Sequence, residues 1–143
     1  MAVRRLELLP GAGRNVVCLL GKKRVTYQDT GDVVVFTAPT GYYCLIDQVI
    51  AVTTTAWDGS GASLKVGRAA DDDGYLTAGN VSAGSYGTAG ASDQGALLWN
   101  NTDKHQKRDG LTAGQTVVVN VNNGTGETAG QTDIFVFGIL VRA

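Results

Sequence analysis

Three consecutive aspartates followed by a glycine, Asp71 to Gly74, form a compact group of potential metal ligands. A calcium loop of the EF-hand type needs oxygen ligands at positions 1, 3 and 5, glycine at position 6 and glutamate at position 12. With Gly74 at position 6, position 1 is Ala69 and position 12 is Asn80, so the pattern fails at both ends. Aspartate and glycine together are also typical of a turn. We predict a turn here, with a calcium site formed by Asp71, Asp73 and a distant Asp58 or Asp93 as the alternative.

The residues that could support nucleophilic catalysis are few. His105 is the single histidine, and a Ser–His–Asp or Cys–His arrangement would have to use it. Cys18 and Cys44 lie in separate apolar runs, which favours buried free thiols, with a disulfide between them as the alternative. The sequence contains no nucleophile elbow, Walker loop or HExxH motif. We predict that the protein is not an enzyme and that it uses no cofactor and no metal.

Several aromatic and amide side chains could contact a sugar, because an aromatic face with nearby hydrogen-bonding groups is a common way to orient a polar ligand. The candidate glycan contacts are Asp71, Tyr86, Trp99 and Asn100. Tyr86 lies in the glycine-rich stretch 78–94, which we predict to be a long surface loop. Trp57 and Trp99 are each predicted to close the end of a strand over the core instead.

The elements that would position these groups are strands. The chain has 143 residues, of which 43% are hydrophobic and 20 are glycine, and it has no capped stretch of ten residues with helical periodicity. Short β-branched runs ending in Gly, Asn or Asp recur instead. The eight candidate strands are 14–20, 23–29, 32–38, 42–57, 62–68, 95–100, 115–123 and 133–143. We predict an all-β, antiparallel jelly-roll-like β-sandwich over residues 14–143, with long Gly-rich loops and an extended N-terminal arm.

Charge and hydropathy exclude several partners. The net charge is −1, whereas a nucleic-acid-binding protein normally has a clustered basic face, so we predict no nucleic-acid partner. The longest apolar run, 134–141, has eight residues, whereas a membrane-spanning helix needs about 20. No signal peptide is apparent at the start of the sequence. We therefore expect neither membrane insertion nor export.

The last predicted strand is apolar on both faces. Ile134, Val136 and Leu140 alternate with a second set, Phe135, Phe137 and Ile139. One set must face the intersheet core, and the other needs a cover. A subunit interface is one such cover and a loop of the same chain is the other, and alternation alone does not decide which set faces outward.

Residues 1–13 form a separate arm that ends in the flexible stretch Pro10 to Gly13. Its leucines, Leu6, Leu8 and Leu9, are too many for a short arm to bury by itself, so they pack either on the domain or on a partner, unless the arm is a frayed tail.

The stretch 41–79 carries a likeness to a known family. It contains a long strand, an aromatic-Asp-Gly turn, a strand ending in Val66-Gly67, and the segment ADDDGYL. In this order it resembles the jelly-roll virion proteins of tailed bacteriophages, namely capsid decoration (cement) proteins and related head or fibre modules. The resemblance implies a homotrimer on the capsid surface of the virion, made in the host cytoplasm, with the major capsid protein of the same virus as its partner.

The resemblance also implies roles for particular residues. The capsid-binding arm would consist of Val3, Arg4, Arg5, Leu6, Leu8 and Leu9, with the two arginines pairing to acidic groups of the shell. The subunit interface would use the outward set of the last strand. The rival hypothesis is a glycan-binding β-sandwich module, such as the receptor-binding domain of a phage head fibre or tail fibre, with a host surface glycan as its partner.

Overall fold

The structure is a computed structural model, and it describes residues 16–80, 99–100, 105–106 and 109–143. All regular elements in these ranges are strands or turns, without any helix. No helix in these ranges is long and apolar enough to span a membrane. The strands are β1 (Cys18–Thr26), β2 (Gly31–Thr37), β3 (Tyr42–Thr55), β4 (Ser63–Arg68), β5 (Asp71–Asn80), β6 (Trp99–Asn100), β7 (His105–Gln106), β8 (Asp109–Leu111), β9 (Thr116–Asn122) and β10 (Gln131–Arg142).

Eight of these strands form two four-stranded antiparallel sheets. Sheet A has the order β1-β10-β3-β8 and sheet B has the order β2-β9-β4-β5, while β6 and β7 pair only with each other. The pairing is nested, because β1 pairs with β10, β2 with β9, β3 with β8 and β4 with β5. The predicted antiparallel β-sandwich is confirmed.

The core lies between the two sheets, and alternation along the strands decides which side chains enter it. On β9, Val117, Val119 and Val121 all belong to the core, as their shared face in the sequence predicts. Trp57 is fully buried at the end of β3, which confirms its predicted place over the core, and Tyr75 is also buried. Neither aromatic ring is therefore available to a sugar.

Three predictions of local structure are wrong. The runs 14–20 and 23–29 form one strand, β1, because Gly21 lies at a bulge and not in a turn. An added Cβ at Gly21 would lie 2.7 Å from the Val35 carbonyl oxygen, so glycine permits close approach to β2. The predicted turn at Asp71 to Gly74 lies within β5, and the chain reverses at Ala69 and Ala70. Strand β8 is not among the eight predicted strands, because its Asp109 and Gly110 are residue types that favour a turn.

Candidate interaction surfaces

The outer face of sheet A is largely apolar. Ile134 and Val136 are fully buried in the core, and Leu140 packs against it, so the alternate residues of β10 point outward. Residues directly paired across strands share a face, which places β1 and β3 side chains beside them. We call this set the apolar face, and it comprises Leu19, Leu45, Ile50, Phe135, Phe137 and Ile139. The outward set of the last strand is therefore Phe135, Phe137 and Ile139.

A charged cluster borders the apolar face on the β1 side. The buried Asp133 carboxylate accepts hydrogen bonds from Arg24 Nε at 2.7 Å and Arg24 Nη2 at 3.0 Å, and Lys22 Nζ lies 3.1 Å from its Oδ2. The hydrogen bonds from Arg24, followed by Lys22, hold the pKa of Asp133 below its usual range, although burial opposes the shift. Lys22 Nζ also lies 5.0 Å from the centroid of the Phe135 ring. One carboxylate thus faces two cations, so this border is positively charged.

The outer face of sheet B is polar by contrast. Asn120 Nδ2 donates to Asp32 Oδ1 at 2.7 Å, and Lys65 Nζ lies 2.8 Å from Asp72 Oδ2. The hydrogen bond with Asp72 raises the pKa of Lys65. Val34 is the large apolar side chain most exposed on this sheet, at 50%. Of the two outer faces, the one on sheet A is therefore suited to burial against another surface.

The aspartate stretch forms a large bulge in the edge strand β5. Arg68 pairs with Asp71 and Val66 pairs with Leu76, so between these pairs the single residue Gly67 of β4 faces four residues of β5, 72–75. The bulge backbone lies on Gly67, where an added Cβ would come within 2.8 Å of the Asp73 nitrogen and closer still to the Asp71 carbonyl oxygen. The Val66-Gly67 pair and the following aspartates are therefore one structural unit.

The positions of the aspartates also test whether they could form a cation site. Asp72 pairs with Lys65, and no group of three His, Cys, Asp or Glu side chains that could hold a metal occurs in the described part of the chain. Asp58 lies before β4 and Asp71 after it, so these two carboxylates are at opposite ends of the sandwich. Both described cysteines are free, and burial raises the pKa of the Cys44 thiol.

A second rigid unit closes one end of the sandwich. Asp58 accepts hydrogen bonds from the backbone N–H of Thr128 at 2.8 Å, from that of Ala129 at 2.9 Å, and from the Thr128 hydroxyl. Trp57 Nε1 donates to the Thr132 hydroxyl at 3.1 Å, and an added Cβ at Gly130 would lie 2.7 Å from Cγ of the Trp57 ring. The β3–β4 and β9–β10 loops are thereby held together. The sequence signal was the Trp57-Asp58 pair, but it could not show which loop receives it.

Acid should weaken this loop unit, because hydrogen bonds from Thr128 and from the backbone of Ala129 and Thr128 lower the pKa of Asp58 to about 2. A depressed carboxyl pKa stabilises the folded state above the unfolded-state pKa, about 3.9 for aspartate, and that stabilisation disappears as the pH falls toward 2. We expect the stability difference between wild type and Asp58→Asn to shrink between pH 5 and pH 2. Urea unfolding at each pH measures it.

The partner of Asp58 provides the control. Thr128→Ala removes the hydroxyl that donates to the carboxylate, so its unfolding free energy should show a weaker dependence on pH than that of wild type over the same range. A difference between wild type and Asp58→Asn that stays constant from pH 5 to pH 2 would contradict the assignment.

The other predicted site residues lie largely outside the described residues. This applies to the whole arm, Val3, Arg4, Arg5, Leu6, Leu8 and Leu9, and to Tyr86. Trp99, Asn100 and His105 are described only as backbone of β6 and β7. Of the four candidate glycan contacts, Asp71 alone has a described side chain, and it is exposed at the edge of sheet B. The absence of catalysis and the glycan site stay predictions.

Two solved structures share this fold. No protein-family model and no curated protein sequence matches the chain. A chain of the "Acidic stable capsid structure of Helicobacter pylori bacteriophage KHP30" superposes with a TM-score of 0.56 at 15% identity, over 90% of this chain and 93% of that chain. A chain of the "Cyanophage Pam1 capsid asymmetric unit" superposes with a TM-score of 0.53 at 21% identity, over 99% and 96%. At these identities the likeness shows a shared fold, and the coverage shows that it occupies almost the whole of all three chains.

Proposed function

We propose that this protein is a structural virion protein of a tailed phage, a decoration or cement protein that binds the head shell and stabilises it as a homotrimer. The main support is that the fold matches chains of two phage capsid structures, KHP30 and Pam1, over almost their whole length. The coverage is above 90% of those chains, so the comparison concerns whole chains of similar length and not a domain of a larger protein.

The strand order supports the jelly-roll part of this proposal. A jelly roll is a two-sheet sandwich with eight strands and two Greek keys, and it is frequent in viral capsids. The nested pairs described above, with β10 between β1 and β3 and β9 between β2 and β4, support this assignment. Fold alone does not define function, so the functional argument rests on the surfaces.

The apolar face supports self-association. Phe135 and Phe137 are only half-buried within one chain, so their rings would gain burial against a second copy. We propose that Phe135, Phe137 and Ile139 form the centre of the subunit interface, bordered on the β1 side by the Lys22, Arg24 and Asp133 cluster. A closed trimer then presents three copies of each shell-binding element, and their weak contacts add through multivalency.

The N-terminal arm supplies the proposed contact with the shell. Val3, Leu6, Leu8 and Leu9 would enter an apolar groove of the shell, and Arg4 and Arg5 would pair with acidic groups at its border. Because each trimer has three arms, it would cross-link neighbouring capsomers. The shell partner in this proposal is the major capsid protein of the same virus.

Removing residues 1–13 tests this function. Shells assembled from the major capsid protein encoded in the same genome are mixed with full-length or truncated protein and sedimented. We expect the truncated protein to stay in the supernatant, with an apparent affinity lowered by at least about 100-fold, because three arms are lost at once. Its circular dichroism should retain the β-sheet signal, which would show that the fold remains.

Two further results of the same assay would decide between hypotheses. Val34→Asp changes an exposed residue of sheet B and should bind shells as wild type does. Binding that is independent of the arm would contradict the proposed contact. Failure of the full-length protein to bind any shell, together with retention on an array of surface glycans, would favour the glycan-binding module.

A further inference from the structure

One corner of sheet A combines exposed apolar side chains with an open strand edge. Of the seven large apolar residues exposed in the described part of the chain, three lie at the start of β1, beside the end of β10. We call these three the corner patch, and they are Val16, Val17 and Leu19. Tyr42 and Tyr43 lie at the start of β3, where consecutive residues point to opposite faces, and the Tyr43 hydroxyl lies against Gly110 of β8. Val34 and Val52 lie on sheet B and toward the far end of β3. Exposed apolar side chains concentrated in one place indicate a binding surface.

The strand edge is next to this patch. β3 pairs with β10 as far as Arg142, but β1 pairs with it only as far as Gly138. Within the described residues, the segment Ile139–Arg142 therefore has a strand on one side only. Alternate backbone N–H and C=O groups of this segment point away from β3, and such groups favour the addition of another strand.

Among the described residues, features that discourage strand addition occur at the neighbouring edge of β1 and not at this one. The free edge of β1 has a bulge between Leu19 and Gly21 and three consecutive cationic residues, 22–24, which are common features that discourage strand addition. The open segment of β10 has no bulge and no proline, and its first three residues are apolar. This contrast indicates that a particular segment of polypeptide pairs with Ile139–Arg142.

We infer that the N-terminal arm of the same subunit occupies this corner in the free protein. Its residues 3–9 would add a short strand to β10 and bury their leucines on the corner patch. This inference does not depend on shell binding, and it concerns where the arm is held before any shell is met.

Chain length and tethering favour the same subunit over a second copy. The arm joins the described structure at Val16, a member of the corner patch. Residues 10–15 can span up to roughly 20 Å and include two glycines that permit a reversal, so residues 3–9 can return to the corner. A short flexible tether gives the arm an effective concentration of roughly the millimolar range at the corner of its own subunit. Leu6 and Leu8, two residues apart, would share one face of the added strand.

Limited trypsin digestion tests the inference, since trypsin cleaves after Arg4 and Arg5. Cleavage of the arm is followed by mass spectrometry in wild type, Val17→Asp and two controls, Val52→Asp and Val34→Asp. Val17 belongs to the corner patch but not to the apolar face. We expect cleavage about tenfold faster in Val17→Asp than in wild type, because a charge at the corner patch releases the arm. Val52→Asp, at the far end of the same sheet, and Val34→Asp, on the other sheet, should match wild type.

Several outcomes would overturn the inference. Equal rates in wild type and Val17→Asp would mean that the arm is not held at this corner. A wild-type rate that falls with rising protein concentration would place the arm on a second copy. Hydrogen exchange provides a measurement without substitution, since removal of residues 1–9 should speed exchange of the amides of Leu140 to Arg142. Unchanged exchange there would also contradict the inference. Because neither experiment uses shells, their failure is distinct from a failure of shell binding.

Discussion

Gly67→Ala is expected to destabilise the protein by roughly 2–4 kcal/mol, because overpacking against fixed backbone has no inexpensive relaxation. The added methyl group would come within 2.6 Å of the Asp72 carbonyl carbon and 2.8 Å of the Asp73 nitrogen. These atoms belong to the bulge of β5, whose flanks are paired to β4 at Val66 and Arg68. The bulge must therefore move as a unit, and urea unfolding would measure the loss.

Gly74→Ala is the matched control in the same bulge. Its Cβ would lie 2.8 Å from the Asp71 Oδ2 atom, the far end of a flexible side chain, which can rotate away. Gly74 does not have positive φ, so alanine is not strained by the backbone there. We expect a loss below about 1 kcal/mol. Equal losses for the two variants would show that the approach of the bulge to Gly67 does not constrain the fold.

Phe137→Asp is expected to abolish self-association while leaving the fold intact. The ring lies on the apolar face between Leu19 of β1 and Gln48 of β3, at the centre of the proposed subunit interface. A central aromatic residue contributes about 2–4 kcal/mol to an interface, so the dissociation constant of the oligomer should rise by roughly 30-fold to 1,000-fold. Light scattering across a dilution series should show a homotrimer for wild type and a monomer for the variant.

The control for this prediction is again Val34→Asp, which introduces the same charge at an exposed valine of the other sheet and should remain a trimer. Circular dichroism of both variants should retain the β-sheet signal. A wild-type monomer at all concentrations would remove the interface proposal, and a trimeric Phe137→Asp would move the interface away from the apolar face.

The strand content was predictable because it depends on neighbouring residues. Alternation of Val117, Val119 and Val121 identified a face that the structure places in the core. The same reasoning divided β10 into two apolar sets but could not choose between them, since the choice depends on which side sheet B lies. The structure decides it, because Ile134 and Val136 are fully buried between the sheets.

Two glycines show that residue type alone can predict the wrong local structure. Gly21 and Gly67 both suggest turns by residue type, but each lies in a strand where another strand approaches its backbone. Such contacts join different strands, which can be far apart in the chain. The conformational preferences of neighbouring residues therefore do not predict them. The same applies to Asp58, whose partners Thr128 and Ala129 lie about half the chain away.

By itself, the sequence determined that the chain forms strands, which residues along each strand share a face, and that one β-sandwich would contain them, because these properties follow from periodicity and turn chemistry. Only the tertiary structure decided the nested strand order, the outward direction of Phe135, Phe137 and Ile139, and the edge at Ile139–Arg142 that β1 leaves unpaired among the described strands. The reason is physical: a face becomes interior or exterior, and an edge paired or open, only when distant segments pack together.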